Sequence, residues 1–373
     1  MYKIPLIKPY MNDSIRKSVQ DVLDSGYLTE GPVTKKLEQL ISKYTSVRHA
    51  IAVTNCTVGL EIALRAINLQ PGDEVIVPDY TYPATASAVA IAGGVPVIVD
   101  IDPKTMNIDY ATLEKAITEK TRALIPVSLF GNPLDWQRLS DIKKRYNLWV
   151  IEDAACSLGA EYQGRKVGSL ADISVFSMHP RKFITTGEGG IITTDNDDFA
   201  AYMDSFKHFG MERQGNREEI VFGKIGTNAK LSNVVAAIGV GQMEVIDDLL
   251  AERRNLADKY ITLLSPYPAI ELPQTTSKGL HSYQSFCVFV DNREKIMKRM
   301  REHGIEVQIG TYQLSKQPAF RDSQNCRIEG KMDGSSEAFM RCLTLPLYNG
   351  MPHTEQEEVV TTLVSLVNEH TKL

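Results

Sequence analysis

The chain has 373 residues, 43% hydrophobic and 23% charged, with a formal net charge of -5. These are ordinary globular values, enough for one large and one smaller domain, without the concentrated basic face of a nucleic-acid binder. The five cysteines (Cys56, Cys156, Cys287, Cys326 and Cys342) are dispersed and form no C-x-x-C, which argues against a disulfide framework or a metal site. No apolar run has the length of a membrane span, and the start MYKIPLIKPYM lacks the apolar core of a signal peptide. A cytoplasmic chain with no membrane or nucleic-acid partner is expected.

Ile15, Val19, Val22 and Leu23 recur at helical spacing, and Ser25-Gly26 ends that run. Leu37, Leu40, Ile41 and Tyr44 mark a second helix. Short β-branched runs then alternate with helices. Strands are predicted at 49–54, 74–77, 95–99, 123–127, 149–152, 173–176 and 190–194, with helices at 57–68, 82–92, 109–117 and 136–146 between the first five. Seven such strands predict an α/β fold with a mostly parallel sheet covered by helices on both faces. A long helix is predicted from about Leu231 past Leu263, bridging a large domain, 1–249, to a smaller α+β domain, 250–373. The smaller domain is expected to hold strands at 285–290 and 306–309 and helices at 293–303 and 355–369.

Ligands of parallel sheets sit beyond the carboxyl ends of the strands, so chemistry is sought there. Asn55-Cys56-Thr57-Val58-Gly59 opens a helix and reads either as a phosphate cradle or as a helix cap. Tyr80 and Tyr82 read either as stacking groups for a planar ligand or as core. Asp153 follows an apolar strand, where an unpaired acid is costly. It either caps a turn or holds a cationic ring nitrogen. In the stretch from Ser177 to Gly190, Lys182 is either a loop lysine or a nucleophilic amine whose pKa is lowered by burial. His179 is either a base or a structural histidine.

Taken in order, these residues resemble the DegT/DnrJ/EryC1/StrS sugar aminotransferases, fold type I enzymes of pyridoxal 5'-phosphate (PLP). The resemblance runs from Ser25–Pro32 through Pro71–Pro78, Thr81-Tyr82, Ile151–Ala155 and Ser177–Gly190, and on through Asn228, Ala236–Gly239, Gln242 and Gly304–Glu306. It implies that Lys182 carries PLP as a Schiff base and moves protons. Asp153 would keep the ring nitrogen charged, making the ring an electron sink, and Tyr82 would stack on the ring. Cys56, Thr57 and Ser177 would hold the phosphate, with Asn228 arriving from the other subunit of a homodimer. Tyr27, Thr29, His179, Lys230, Tyr312 and Lys316 are implied as substrate contacts.

Three departures stand out. Cys156 replaces the family's usual Gln, His or Glu near the cofactor's phenolic edge. Cys56 stands where Gly is common. The segment Gly310–Lys316 lacks the usual Pro and His. The implied reaction moves an amino group from glutamate or glutamine to a keto-sugar, often nucleotide-linked and ketonic at carbon 3 or 4, through the pyridoxamine phosphate (PMP) form. A free keto-sugar acid or a cyclitol ketone is an alternative acceptor. Lys182 argues against the sugar-dehydratase relatives that carry His there. Lys182 together with Asp153 argues against a non-catalytic sensor.

Overall fold

The computed structural model describes residues 2–212 and 217–371. The outermost residues of both expected domains lie outside that range. The main sheet contains β1 (His49–Val53), β2 (Glu74–Pro78), β3 (Val95–Val99), β4 (Thr121–Leu124), β5 (Trp149–Asp153), β6 (Ile173–Ser177), β7 (Gly190–Thr194) and β8 (Arg327–Glu329). Their spatial order is β1-β7-β6-β5-β4-β2-β3-β8. Only β7 pairs antiparallel with its neighbours; the other pairings in the sheet are parallel.

The strands read as unbroken apolar runs because both faces are covered. Alternate residues point to opposite faces. Val75, Val77, Ile98 and Ile151 enter one core, and Ile76, Val97, Val99 and Val150 enter another. Seven strands match the expected sheet. The eighth, β8, comes from the C-terminal part of the chain and lies parallel to β3. Its sequence, Arg-Ile-Glu, carries no apolar signal. It is held instead by the Arg327 guanidinium, which donates to Glu74 at 3.0 Å and to the Ala116 carbonyl at 2.7 Å.

Helices α1 (Asp13–Ser25) and α2 (Pro32–Thr45) precede the sheet, and α3 (Cys56–Ala66), α4 (Ala84–Ile91), α5 (Tyr110–Lys115), α6 (Trp136–Tyr146) and α7 (Asp197–Lys207) pack around it. The predicted long helix is two, α8 (Asn233–Met243) and α9 (Ile246–Leu264). Val245 leaves helical geometry at φ -125°, and Asp247 and Asp248 then sit in the first turn of α9, where the helix dipole favours acids. Leu249 and Leu250 of α9 enter a core with α2 and α8. About two to three turns on, Leu256, Ala257 and Tyr260 enter the C-terminal core.

The C-terminal core surrounds a three-stranded antiparallel sheet of residues 286–289, 342–345 and 308–309. It is closed by α10 (Arg293–Glu302) and the last helix, His353–Thr371. Segments cross the expected boundary in both directions. Ile4 bridges to Ile305 and is buried in the C-terminal core, while β8 joins the large sheet and residues 279–280 and 312–313 pair with residues 161–162 and 80–81. We propose to keep the division at 249/250, with these exchanges across it. Among the described residues no helix is long and apolar enough to cross a membrane.

Candidate active site

The site forms where β1, β5 and β6 end and β7 begins. Val53, Gly190 and Ser177 lie side by side across β1, β7 and β6. Asn55 caps α3, its side chain accepting from Val58 N at 2.9 Å. The first N–H groups of a helix have no intrahelical partner and carry the positive end of its dipole. Cys56 and Thr57 occupy that first turn, and the Ser177 hydroxyl lies at the end of the adjoining strand. Gly190 makes this approach possible, since a Cβ there would come within 2.7–2.8 Å of the backbone of Asn55 and Cys56.

Asp153 closes β5 and is buried. The Thr85 hydroxyl donates to its Oδ2 at 2.7 Å and Ala155 N–H to its Oδ1 at 3.2 Å. Thr81 Oγ1 lies 3.1 Å from Thr85 Oγ1. Burial pushes the Asp153 carboxyl above the usual carboxylate range, while Thr85, Ala155 and the charge of Lys182 pull it back. A carboxylate so placed calls for a further cation. Thr85 was absent from the sequence reading; its four-residue offset from Thr81 was the available signal.

Lys182 lies on the loop between β6 and β7. Its Nζ donates to Cys156 Sγ at 3.1 Å, and it interacts electrostatically with Cys56 and Asp153. The amine and the carboxylate therefore face one space. The expected lowering of the amine pKa is not what this geometry gives. Burial does lower it, but the charge and hydrogen bond of Cys156, with Cys56 and Asp153, outweigh burial and leave the amine above its ordinary value.

The loop is clasped on both sides. Gln242 accepts from Thr185 N at 2.8 Å, Gln284 donates to the Arg181 carbonyl at 2.7 Å, and the Arg253 guanidinium lies 5.2 Å from the centre of the Phe183 ring. His179 accepts from Arg181 N through Nδ1 at 3.2 Å, and its carbonyl accepts from Lys182 N. Burial also holds its pKa below the ordinary histidine value.

The two tyrosines divide. Tyr80 is buried, its hydroxyl accepting from Thr311 N, whereas Tyr82 is 65% exposed. The predicted helix start at Tyr82 moves to Ala84 because residues 80–81 pair as a strand with residues 312–313. This pairing sets Tyr312 edge-on to Tyr82, with ring centres 6.1 Å apart. Asp79 anchors the next turn, accepting from Ser315 N, Ser315 Oγ and Ser335 Oγ. Lys316 ends that turn, exposed.

Tyr27, Thr29, Asn228 and Lys230 form a second group, near the edge strand β1. The Tyr27 and Thr29 carbonyls accept from Asn233. Ala229, between Asn228 and Lys230, accepts from Thr54 N, and Lys230 Nζ donates to Asn228.

A buried acid, an amine facing it, a helix start flanked by hydroxyls and an exposed tyrosine together fit PLP. They would meet its ring nitrogen, aldehyde, phosphate and ring face respectively. Among the described residues no cluster could hold a metal ion.

The sequence profile described as the DegT/DnrJ/EryC1/StrS aminotransferase family matches residues 9–364. The GDP-perosamine synthase of Caulobacter vibrioides is 34% identical over 97% of both chains. An uncharacterised protein of Methanocaldococcus jannaschii is 30% identical over 98% of both. Spr1654 of Streptococcus pneumoniae, solved in PMP and PLP forms, is 28% identical. Its PMP form superposes with a TM-score of 0.92 over 98% of this chain and 100% of its own. The fold, the site and these relationships agree that the chain belongs to the DegT/DnrJ/EryC1/StrS aminotransferase family.

Proposed function

We propose that this enzyme is a PLP-dependent sugar aminotransferase, alternating with the PMP form. It moves an amino group from glutamate or glutamine to a keto-sugar, and we assign a nucleotide-diphosphate-linked 3- or 4-keto-deoxysugar as the acceptor. The product would serve surface polysaccharide or secondary-metabolite synthesis. One observation carries the reading: the Lys182 amine and the Asp153 carboxylate face the same space beside the start of α3. Support for a sugar acceptor comes from the names of the relatives, a GDP-perosamine synthase and a sugar aminotransferase.

When bound, the cofactor ring takes up the electron pair left as a proton departs from the substrate carbon. The Asp153 carboxylate holds a proton on the ring nitrogen, and Thr85 fixes that carboxylate. The Cys56 and Thr57 N–H groups and the Ser177 hydroxyl bind the phosphate. Tyr82 covers the ring and, with Tyr312, excludes water from one side. With the cofactor held there, the Lys182 amine would be the group that takes up and gives back the proton moved in the reaction.

The reading includes a homodimer. Phe209, Phe222 and Ile225, the last 95% exposed, surround the stretch leading to Asn228 and Lys230. Apolar exposure of this kind marks a contact surface. A second copy covering it would carry Asn228 and Lys230 toward the neighbouring phosphate site. Five free thiols suit a reducing, cytoplasmic setting.

The test is to incubate the PLP form with glutamate or glutamine and a panel of nucleotide-linked and free keto-sugars, reading amino product by mass. Amination of a nucleotide-linked ketone supports the reading. Amination of free keto-sugars alone would overturn the nucleotide assignment, and no amination of any sugar would overturn the function.

A further inference from the structure

Lys182 is gripped through both of its chain neighbours. On one side, the buried Gln284 amide donates to the Arg181 carbonyl at 2.7 Å. On the other, the Phe183 ring is buried with the Arg253 guanidinium over it, 5.2 Å from the ring centre. The two grips meet in one residue. Arg253 Nη1 donates to the carbonyl of Gln284 itself at 3.0 Å, to that of Tyr283 at 3.1 Å and to that of Leu347 at 3.4 Å. Lys182 thus stands in a closed circuit that runs from Arg181 through Gln284 and Arg253 to Phe183.

Arg253 is 2% exposed, and burial lowers its pKa only to about 10, so it stays charged at neutral pH. A charged side chain is rarely buried without a carboxylate beside it. The hydrogen-bond partners of Arg253 are carbonyls, and its flat face meets a ring. Glu252, its chain neighbour, raises the pKa but accepts from Asn349 and Gly350. A planar guanidinium can lie on a ring and donate within its own plane at once, which an ammonium cannot do. The place of Arg253 on α9 makes both contacts possible. Leu249 and Leu250 precede it in the core shared with α2 and α8, and Leu256 follows in the C-terminal core. The guanidinium sits where the two cores meet, beside the loop of the amine.

We propose that Arg253 and Gln284 are positioning residues for the Lys182 amine. The proposal rests on the reading of Lys182 as the cofactor-bearing amine. Fixing the chain one residue before Lys182 and one residue after it leaves its backbone little freedom, so the amine reaches the space faced by Asp153 in one direction. A misplacement of about 1 Å is enough to slow a reaction about a hundredfold. Tyr283, Gln284 and Leu347 belong to the C-terminal part of the chain, so the reach of the amine is set there as well as by the sheet that carries its loop. A residue that only tied α9 to the C-terminal segments would affect stability and leave the amine as it was.

The experiment uses the full-length protein, unmodified and as Arg253→Lys, Phe183→Leu, the double variant of these two, and Gln284→Leu. Lysine keeps the charge and can donate to the carbonyls but has no plane to lay on a ring. Phe183→Leu removes the ring from the other side, and Gln284→Leu frees the Arg181 carbonyl. Neither of these removes a donor or acceptor of the three Arg253 hydrogen bonds. In cofactor-free protein, amide-hydrogen exchange is followed for the peptide spanning residues 179–187, with peptides of α9 and of residues 286–289 as references. With PLP restored, the glutamate half-reaction is followed by absorbance over a range of glutamate concentrations, which separates its maximal rate from the half-saturating concentration.

Each single variant is expected to speed exchange in 179–187 about tenfold relative to the references. Each should also slow the maximal half-reaction about ten- to hundredfold, with the half-saturating glutamate concentration changed by less than about threefold. The double variant should be no slower than the slower of its two singles, because both remove the same contact. Additive slowing would mean that Arg253 and Phe183 act separately and would overturn the proposal. So would exchange and maximal rates like the parent's in Phe183→Leu and Gln284→Leu, which decide the matter even where Arg253→Lys does not fold. Borohydride reduction of the unmodified holoenzyme, followed by peptide mass, checks the premise. PLP fixed at a residue other than Lys182 would overturn the cofactor assignment instead.

Discussion

Glu152 precedes Asp153 on β5 and is fully buried, yet no cation meets it in the described structure. The Ser128 hydroxyl donates to one of its oxygens and the Ser174 hydroxyl to the other, the latter at 3.1 Å. Burial pushes its pKa from 4.5 to about 7, against the two serines and with help from the Asp153 charge. The folded state thus binds this proton more tightly than the unfolded chain, the reverse of the usual carboxylate. Its stabilising contribution is complete below the unfolded value of 4.5 and is lost as pH rises to the folded value of about 7. At ~1.4 kcal/mol per unit, the full loss is about 3 kcal/mol, of which about 2.5 falls between about pH 5 and about pH 8.

Glu152→Gln copies the protonated shape. Its carbonyl can accept from one serine and its amide donate to the other, and it does not titrate. Urea unfolding of both proteins near pH 5 and near pH 8 is the assay. The variant should gain about 2 to 3 kcal/mol on the parent between the two pH values. Parallel pH dependence would show that Glu152 ionises in the fold without penalty, and the argument from burial would fail.

Lys182→Ala should lose both the absorbance of the cofactor–lysine linkage and transamination, and appreciable turnover would refute its role. Thr85→Val removes one hydrogen bond to a charged carboxylate, worth about 1.5–3 kcal/mol, so the glutamate half-reaction should slow about ten- to hundredfold. Asp153→Asn should slow it further while leaving folding largely intact. Stopped-flow spectra rank the three, and a Thr85→Val rate equal to the parent would show that the carboxylate needs no such support. Asn228→Ala should weaken PLP retention through the second subunit, measured by dialysis and absorbance, and unchanged retention would count against a shared site.

The parts of the site legible in the sequence are those whose meaning is local. Asp153 follows an apolar strand at the place where such a sheet binds its ligands, and Lys182 sits in a loop closed by Gly187, Gly189 and Gly190. The strands themselves are legible because both faces are buried, so composition alone marks them. Thr85 was illegible for the opposite reason. Its partner lies 68 residues away, and a threonine near a helix start has an ordinary local explanation. Strand β8 failed similarly, since a guanidinium bridging to Glu74 from 253 residues away takes the place of apolar burial. The break at Val245 was hidden because α8 and α9 continue one apolar periodicity while serving two different cores.

The pair of Tyr80 and Tyr82 shows where the two kinds of information meet. Two residues apart, they would share one face of a continuing strand, yet Tyr80 is buried and Tyr82 exposed. The strand stops at Thr81 and α4 starts at Ala84, so Tyr82 has left the alternation. Residues 312–313 pair with this short strand, and Thr311 N–H donates to the Tyr80 hydroxyl. The segment that departs most from the family, Gly310–Lys316, is therefore also the one that aims Tyr82. Variation in acceptor within this family can then arise without any change at Lys182 or Asp153. It requires only a new turn at residues 312–316 anchored on Asp79, because on the proposed cofactor placement those residues would form one wall while Asp153 stays on β5 and Lys182 on its clasped loop.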